Sequence, residues 1–239
     1  MSKLNKDVLF LILEELQTDR KSLYSCLLVN KAWCEIIVPI LWKNPLKYSL
    51  NLIISHLSNE TRGYLKSQGI DLSSIVQRKP SFNYIRFVRY LDLIRLEGII
   101  QTINIEEYKI SIMTNEILKL FINRDTKFTH LYIPSHFNYQ IHLILGAEYC
   151  FSGLKFLYCC TDNTNQNILE GLAQISRSTR KLELYVFSNN NFGIIKLIEA
   201  QKNLNEVLFY CQNKSIRKAL EDSLNKHLNT VKYIFHMLS

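Results

Sequence analysis

The sequence predicts an α+β protein in which a short all-helical segment precedes an αβ solenoid with a short-stranded parallel sheet. Three observations carry this expectation. Residues 1–45 hold three short helical patterns with more apolar residues than three helices can bury among themselves. Along residues 81–239 a short apolar pattern recurs at a nearly constant interval. Helical patterns alternate with its copies, as they do where each unit buries its apolar face only against its neighbours.

From Asp7 to Leu16 the chain reads as a helix, with Asp7 placed to complement the N-terminal dipole and no Gly or Pro inside. Val8, Leu9, Phe10, Leu11, Ile12 and Leu13 are apolar in succession, and at about 3.6 residues per turn they cover every side of the helix. Such a helix needs a second neighbour, either the domain that follows or a partner helix. A second helix is expected to open at Ser22 and carry Leu23, Cys26, Leu27 and Leu28. A third should begin near Asn30, hold Trp33, Ile36 and Ile37, and end before Pro39, since proline disfavours helix in the residue ahead of it. Residues 46–80 read as a junction and N-terminal cap for the solenoid. There Leu50, Leu52, Ile53, Ile54 and Leu57 suggest a helix, and Gly63 and Gly69 suggest turns.

The repeat is apolar, two residues, apolar, one residue, apolar. It stands as Val88-x-x-Leu91-x-Leu93, Phe128-x-x-Leu131-x-Ile133, Leu154-x-x-Leu157-x-Cys159, Leu182-x-Leu184 behind Thr179, and Leu204-x-x-Val207-x-Phe209. A frayed copy, Val231-x-x-Ile234, follows. The middle positions Leu91, Leu131, Leu157, Leu182, Val207 and Ile234 are spaced by 40 and then by 26, 25, 25 and 27, the last four in the range of leucine-rich repeats. Helical patterns lie between, as at Ile168, Leu169, Leu172 and Ile175. Strand geometry then points the residues between the apolar ones to the opposite face. These form columns: Tyr90, His130, Phe156, Lys181, Glu206, Tyr233; then Asp92, Tyr132, Tyr158, Glu183, Leu208, Phe235; and beyond them Tyr185 and Tyr210. A face so rich in aromatics suits protein recognition, because aromatics supply large contact areas and binding hot spots.

Composition excludes several classes. With 47% hydrophobic and 21% charged residues the 239-residue chain has the make-up of a folded protein rather than a disordered one. No run of about eighteen apolar residues is present, so no membrane span is expected and the cytoplasm or nucleus is the expected location. Six cysteines without C-x-x-C spacing are expected as free thiols, with no metal and no cofactor; His136 and His142 near Cys150 match no ligand spacing. No phosphate-binding glycine loop, zinc-protease or nucleophile-elbow motif occurs, and no catalytic residue is expected. The net charge of +8 permits anionic partners, yet the basic residues are scattered in ones and twos.

The N-terminal segment resembles an F-box. That family opens on Leu-Pro-x-Glu-Ile/Val-Leu and closes on Val-Cys/Ser-Lys/Arg-x-Trp; here stand Leu4, Asp7-Val8-Leu9, Ile12-Leu13, Leu16 and Val29-Asn30-Lys31-Ala32-Trp33, followed by Pro39-Ile40-Leu41-Trp42. Asn5 replaces the family's usual proline, and Lys21-Ser22-Leu23 a frequent Asp-Leu pair. F-box proteins often carry leucine-rich repeats behind the box. The repeats here are degenerate: where such repeats usually place Asn or Cys stand Leu96, His136, Asp162, Phe187 and Gln212, with Asn163, Asn189 and Asn213 slightly later.

The resemblance implies an F-box over residues 1–45 and a leucine-rich-repeat-like substrate-recognition domain over 81–239. It implies a non-catalytic substrate receptor of an SCF-type ubiquitin ligase, binding a Skp-type adaptor, and through it a cullin, by Leu4, Val8, Leu9, Ile12, Leu13, Leu16, Leu27 and Trp33. A protein substrate would meet Tyr90, Asp92, Tyr132, Phe156, Tyr158, Glu183, Tyr185 and Tyr210. Two other readings stay open. One is a repeat scaffold whose helices merely cap it. The other is a nucleic-acid face stacking bases on Tyr132, Tyr158 and Tyr185, against which Asp92, Glu183 and Glu206 argue.

Overall fold

The apolar residues of the repeat draw the chain back to one core at regular intervals. Every position of the five copies between Val88 and Phe209 is at most 1% exposed. The computed structural model describes residues 5–44, 49–73, 79–103, 105–162, 165–187, 190–211, 214–227 and 229–236. Leu4, Asn163, Asn189, Gln212 and Asn213 lie outside them, as do the side chains of Tyr233 and Phe235.

Six strands form among the described residues: β1 (Tyr90–Asp92), β2 (His130–Ile133), β3 (Phe156–Thr161), β4 (Lys181–Val186), β5 (Glu206–Cys211) and β6 (Lys232–His236). Each lies parallel to the next in sequence, giving the sheet order β1-β2-β3-β4-β5-β6. Leu91, Leu131, Leu157, Leu182 and Val207 stand in one cross-strand line. Parallel neighbours require a crossover, and helices supply it. Between β1 and β2 lie two, α6 (Leu93–Ile100) and α7 (Glu107–Phe121), which accounts for the first interval being longer than the rest. The others are α8 (Ala147–Phe151), α9 (Gln166–Ile175), α10 (Phe192–Ala200) and α11 (Lys214–Ser223). The whole is α+β.

Two repeat positions differ from expectation. Leu93 is the first residue of a helix rather than the end of a strand, because the Asp92 carboxylate accepts from the Arg95 N–H at 3.0 Å and caps it. In the sixth strand Tyr233, not Ile234, pairs with Val207, so Lys232 rather than Tyr233 stands beside Glu206. A copy with only two apolar positions, paired with a neighbouring strand on one side only, leaves its register weakly specified.

Buried polar side chains join neighbouring units. The Gln201 amide accepts from the Thr179 N–H at 2.9 Å and donates to the Ser176 carbonyl at 3.0 Å. The Gln166 amide accepts from the Gly193 N–H at 3.0 Å, and the His227 imidazole meets the Ile198 carbonyl at 3.0 Å. Gly193 is required where α10 crosses α9, since a Cβ there would run into the Gln166 carbonyl oxygen.

Upstream, α1 (Lys6–Glu15), α2 (Arg20–Cys26) and α3 (Lys31–Lys43) close on a separate small core of Leu9, Leu13, Leu23, Ile37 and Leu41. Asn5, Asp19 and Asn30 cap them, accepting from Asp7, Ser22 and Trp33 N–H groups. Capping by Asp19 starts the second helix at Arg20, two residues before the expected Ser22. The third runs through Pro39 instead of stopping ahead of it. Burial of Ile37, Val38 and Leu41 on either side outweighs one lost bond, and the carbonyl that loses its donor belongs to exposed Glu35.

The junction holds α4 (Leu50–Ser55) and α5 (Asn59–Ser67), whose Ile53, Ile54 and Leu65 join the main core. Gly63 lies inside α5 rather than in a turn, whereas Gly69 (φ 75°) makes the turn that follows. Trp42 packs on both cores and meets the Tyr84 ring at 4.7 Å, and the Arg89 N–H donates to the Lys43 carbonyl at 2.9 Å. Among the described residues no helix is long and apolar enough to cross a membrane.

Candidate functional site

Alternation along β3, β4 and β5 buries every second side chain and leaves the others half-buried on the opposite face of the sheet. All eight residues expected to contact a substrate lie on that face: Tyr90, Asp92, Tyr132, Phe156, Tyr158, Glu183, Tyr185 and Tyr210 are half-buried, not fully exposed. Lateral neighbours across the strands cause the partial burial. The rings form a continuous ladder. Tyr90 stacks on His130 with centroids 3.8 Å apart, and His130 meets Phe156 at 5.4 Å. Phe156 meets Tyr132 at 5.4 Å, Tyr132 meets Tyr158 at 5.9 Å, and Tyr158 meets Tyr185 at 5.3 Å. Tyr185 and Tyr210 close it as a parallel stack at 4.1 Å. The tilted pairs, at 5.3 to 5.9 Å, lie at separations where aromatic rings attract beyond their area burial.

The charges divide the face. At the His130 end, burial first and then repulsion from Lys155 and Lys43 push the imidazole down to about 4, so it is neutral at physiological pH. Burial likewise raises the Tyr132, Tyr158 and Tyr185 phenols, which stay protonated. Lys181 pairs with Glu206 at 2.7 Å and Asp92 with Arg95 at 2.9 Å. Asp92 is thereby committed to its own helix. Glu183 forms no ion pair among the described residues.

A second surface belongs to the helical unit. Its first helix carries two apolar stripes. Leu9, Leu13 and Leu16 face the small core, with Leu9 and Leu13 at 5% and 1% exposure. Val8, Leu11 and Ile12, spaced i, i+3, i+4, face outward at 45%, 62% and 49%. Of the residues expected to meet an adaptor, Val8 and Ile12 are therefore presented. Leu9 and Leu13 are not, and Leu16, Leu27 and Trp33 pack against the core as half-buried residues. Sequence reasoning missed Phe10, Leu11, Tyr24, Leu28 and Val29, all exposed; Leu28 reaches 88%. Once Leu9 and Leu13 are taken as the inward pair, helical spacing alone finds Leu11.

The histidines and cysteine near one another in sequence are separately engaged. His136 pairs with Asp162 at 2.9 Å, His142 packs against Gly171, and Cys150 donates to the Asn123 carbonyl at 2.7 Å. Among the described residues no three His, Cys, Asp or Glu side chains are grouped to hold a metal ion. Comparison of the chain with protein-family models, with curated proteins and with solved structures finds no match.

Proposed function

We propose that this chain is the substrate-recognition subunit of an SCF-type (Skp, cullin, F-box) ubiquitin ligase. Residues 1–45 act as an F-box, 46–80 as the cap of a leucine-rich-repeat-like solenoid, and 81–239 as the solenoid whose ladder face holds a protein substrate. In this reading the chain makes and breaks no bonds and works in the cytoplasm or nucleus. It tethers a substrate near the ligase so that transfer becomes effectively intramolecular.

The observation that carries it is the outward stripe of Val8, Leu11 and Ile12 on a helix whose other stripe already fills its own core. Three large aliphatic side chains exposed on one stripe, at 45%, 62% and 49%, have the pattern of a helix that docks on a partner. The seat of Trp42 between the two cores favours a second reading, a repeat scaffold with a helical cap and no ligase role.

Co-expression with a Skp-type adaptor separates the two. A stoichiometric complex from the native chain, lost with Leu11→Asp or Ile12→Asp while circular dichroism and the melting curve stay unchanged, supports the ligase reading. No complex from a folded, monodisperse native chain overturns it and leaves the scaffold.

A further inference from the structure

Of the two carboxylates in the row Asp92, Tyr132, Tyr158, Glu183, Leu208, Asp92 is paired with Arg95 and Glu183 is paired with no described residue, and that difference names a ligand. Glu183 sits on β4 directly between Tyr158 on β3 and Leu208 on β5. Tyr158 meets Tyr185 at a 47° tilt that leaves its ring face uncovered by that neighbour, while Tyr185 and Tyr210 stack on one another two residues along. Ring faces carry negative quadrupole potential and attract cations, more so when partly desolvated, as these half-buried rings are. The carboxylate beside them lacks an ion-pair partner among the described residues, since Lys181, two residues along the same strand, is turned to Glu206. A half-buried carboxylate with an aromatic ring directly beside it is suited to a cationic partner, which the ring face and the charge attract together.

From this geometry we propose that the Tyr158–Tyr185–Tyr210 end of the ladder binds a cationic side chain, Arg or Lys, on an extended segment of a protein partner, with Glu183 as its counter-ion. This names the substrate class of the recognition face and rests on the reading that the face engages a protein. Nucleic acid fits poorly, because its phosphates would meet Glu183. The chain as a whole carries +8 and repels cationic peptides, so any that bind must do so at a locally complementary site.

The test uses the full chain and three fluorescein-labelled probes, (Gly-Arg)4, (Gly-Gln)4 and (Gly-Glu)4, with fluorescence polarisation near physiological salt. The expected result is that the Arg peptide binds at least about tenfold more tightly than the other two. Glu183→Gln, nearly isosteric and on a half-buried site, should weaken it by about tenfold. Tyr158→Leu should weaken it about fivefold, while Tyr158→Phe, which keeps the ring face, should hold it within about twofold. Equal or tighter binding of the Glu peptide, preference for an oligo-uridine probe, indifference to Glu183→Gln, or no Arg-peptide binding would each overturn the proposal. So would a dimer of the native chain that Tyr158→Leu dissociates, which would give the face to a second copy. Adaptor capture is measured on the same preparations through a different surface. Capture without peptide binding overturns this inference alone, and peptide binding without capture overturns the ligase reading alone.

Discussion

The rings of Tyr185 and Tyr210 lie face to face on adjacent strands, their centroids 4.1 Å apart and their planes 9° from parallel. Their Cα atoms are direct cross-strand partners, so the stack is set by sheet register rather than by the flexibility of either side chain. A double-mutant cycle with Tyr185→Ala and Tyr210→Ala, read by urea denaturation, should give a coupling of about 0.5–1.5 kcal/mol. A coupling indistinguishable from zero would mean the two rings do not stack in solution.

Close passage of α10 over α9 is expected to make Gly193→Ala costly. A methyl group aimed at the backbone of Gln166 forces the helices apart, with a loss of about 1–3 kcal/mol in urea denaturation. Gly98→Ala is the control. That glycine is an exposed residue of α6 with nothing within 4 Å of the added atom, and alanine there should stabilise the protein by about 0.5–1 kcal/mol.

Gln201 is 3% exposed and holds three backbone groups, the Thr179 N–H and the carbonyls of Ser176 and Leu197. Gln201→Leu keeps the volume and leaves the Thr179 N–H buried without an acceptor. The expected cost is about 1–3 kcal/mol, seen as a lowered denaturation midpoint with an unchanged slope.

How far these features could be read from the sequence depends on how strongly each is specified. The four copies with three apolar positions fixed their own register because all three must point inward, and the Leu182 copy, with Thr179 in the first place, is held between two of them; the two-position sixth copy has a neighbouring strand on one side only, and slipped by one. The ladder followed from that register, since alternation places Tyr132, Tyr158 and Tyr185 opposite the core. The residues joining the units did not follow. Gln166, Gln201 and His227 are polar and outside the apolar pattern, and only the packing of one helix on the next reveals them as buried. For α1 the run of six apolar residues showed that two faces were in play, but which stripe turns inward is decided by α2 and α3.

That division makes the helical unit a sharp test. Leu13, 1% exposed in the small core, should cost about 2–5 kcal/mol as Leu13→Ala, whereas Leu11→Ala on the outward stripe should stay within about 0.5 kcal/mol. Both tryptophans lie in α3, Trp33 against the small core and Trp42 against both cores, so tryptophan fluorescence in urea denaturation of a Trp42→Phe background reports this unit through Trp33. A larger cost at Leu11 than at Leu13 would mean that the stripes are assigned the wrong way round, and equal costs that neither stripe is the core of the unit.

Stability should also fall in acid through His130. Its folded value is depressed to about 4 from 6.5, chiefly by burial within the stack, with Lys155 and Lys43 adding repulsion. Above pH 6.5 the imidazole is neutral in both folded and unfolded chains and makes no difference. Between pH 6.5 and 4 the unfolded chain takes up a proton that the folded one refuses, so stability is progressively lost as pH falls, and below about 4 this loss levels off. Because the ring is only half-buried, the loss is expected to be about 1–2 kcal/mol rather than the full value of the shift. Urea denaturation at pH 7.5 and 4.5 checks this: His130→Phe, which keeps a ring between Tyr90 and Phe156 and cannot titrate, should lose less stability on acidification than the native chain, by that amount. An equal acid loss in the two proteins would show that the proton enters elsewhere.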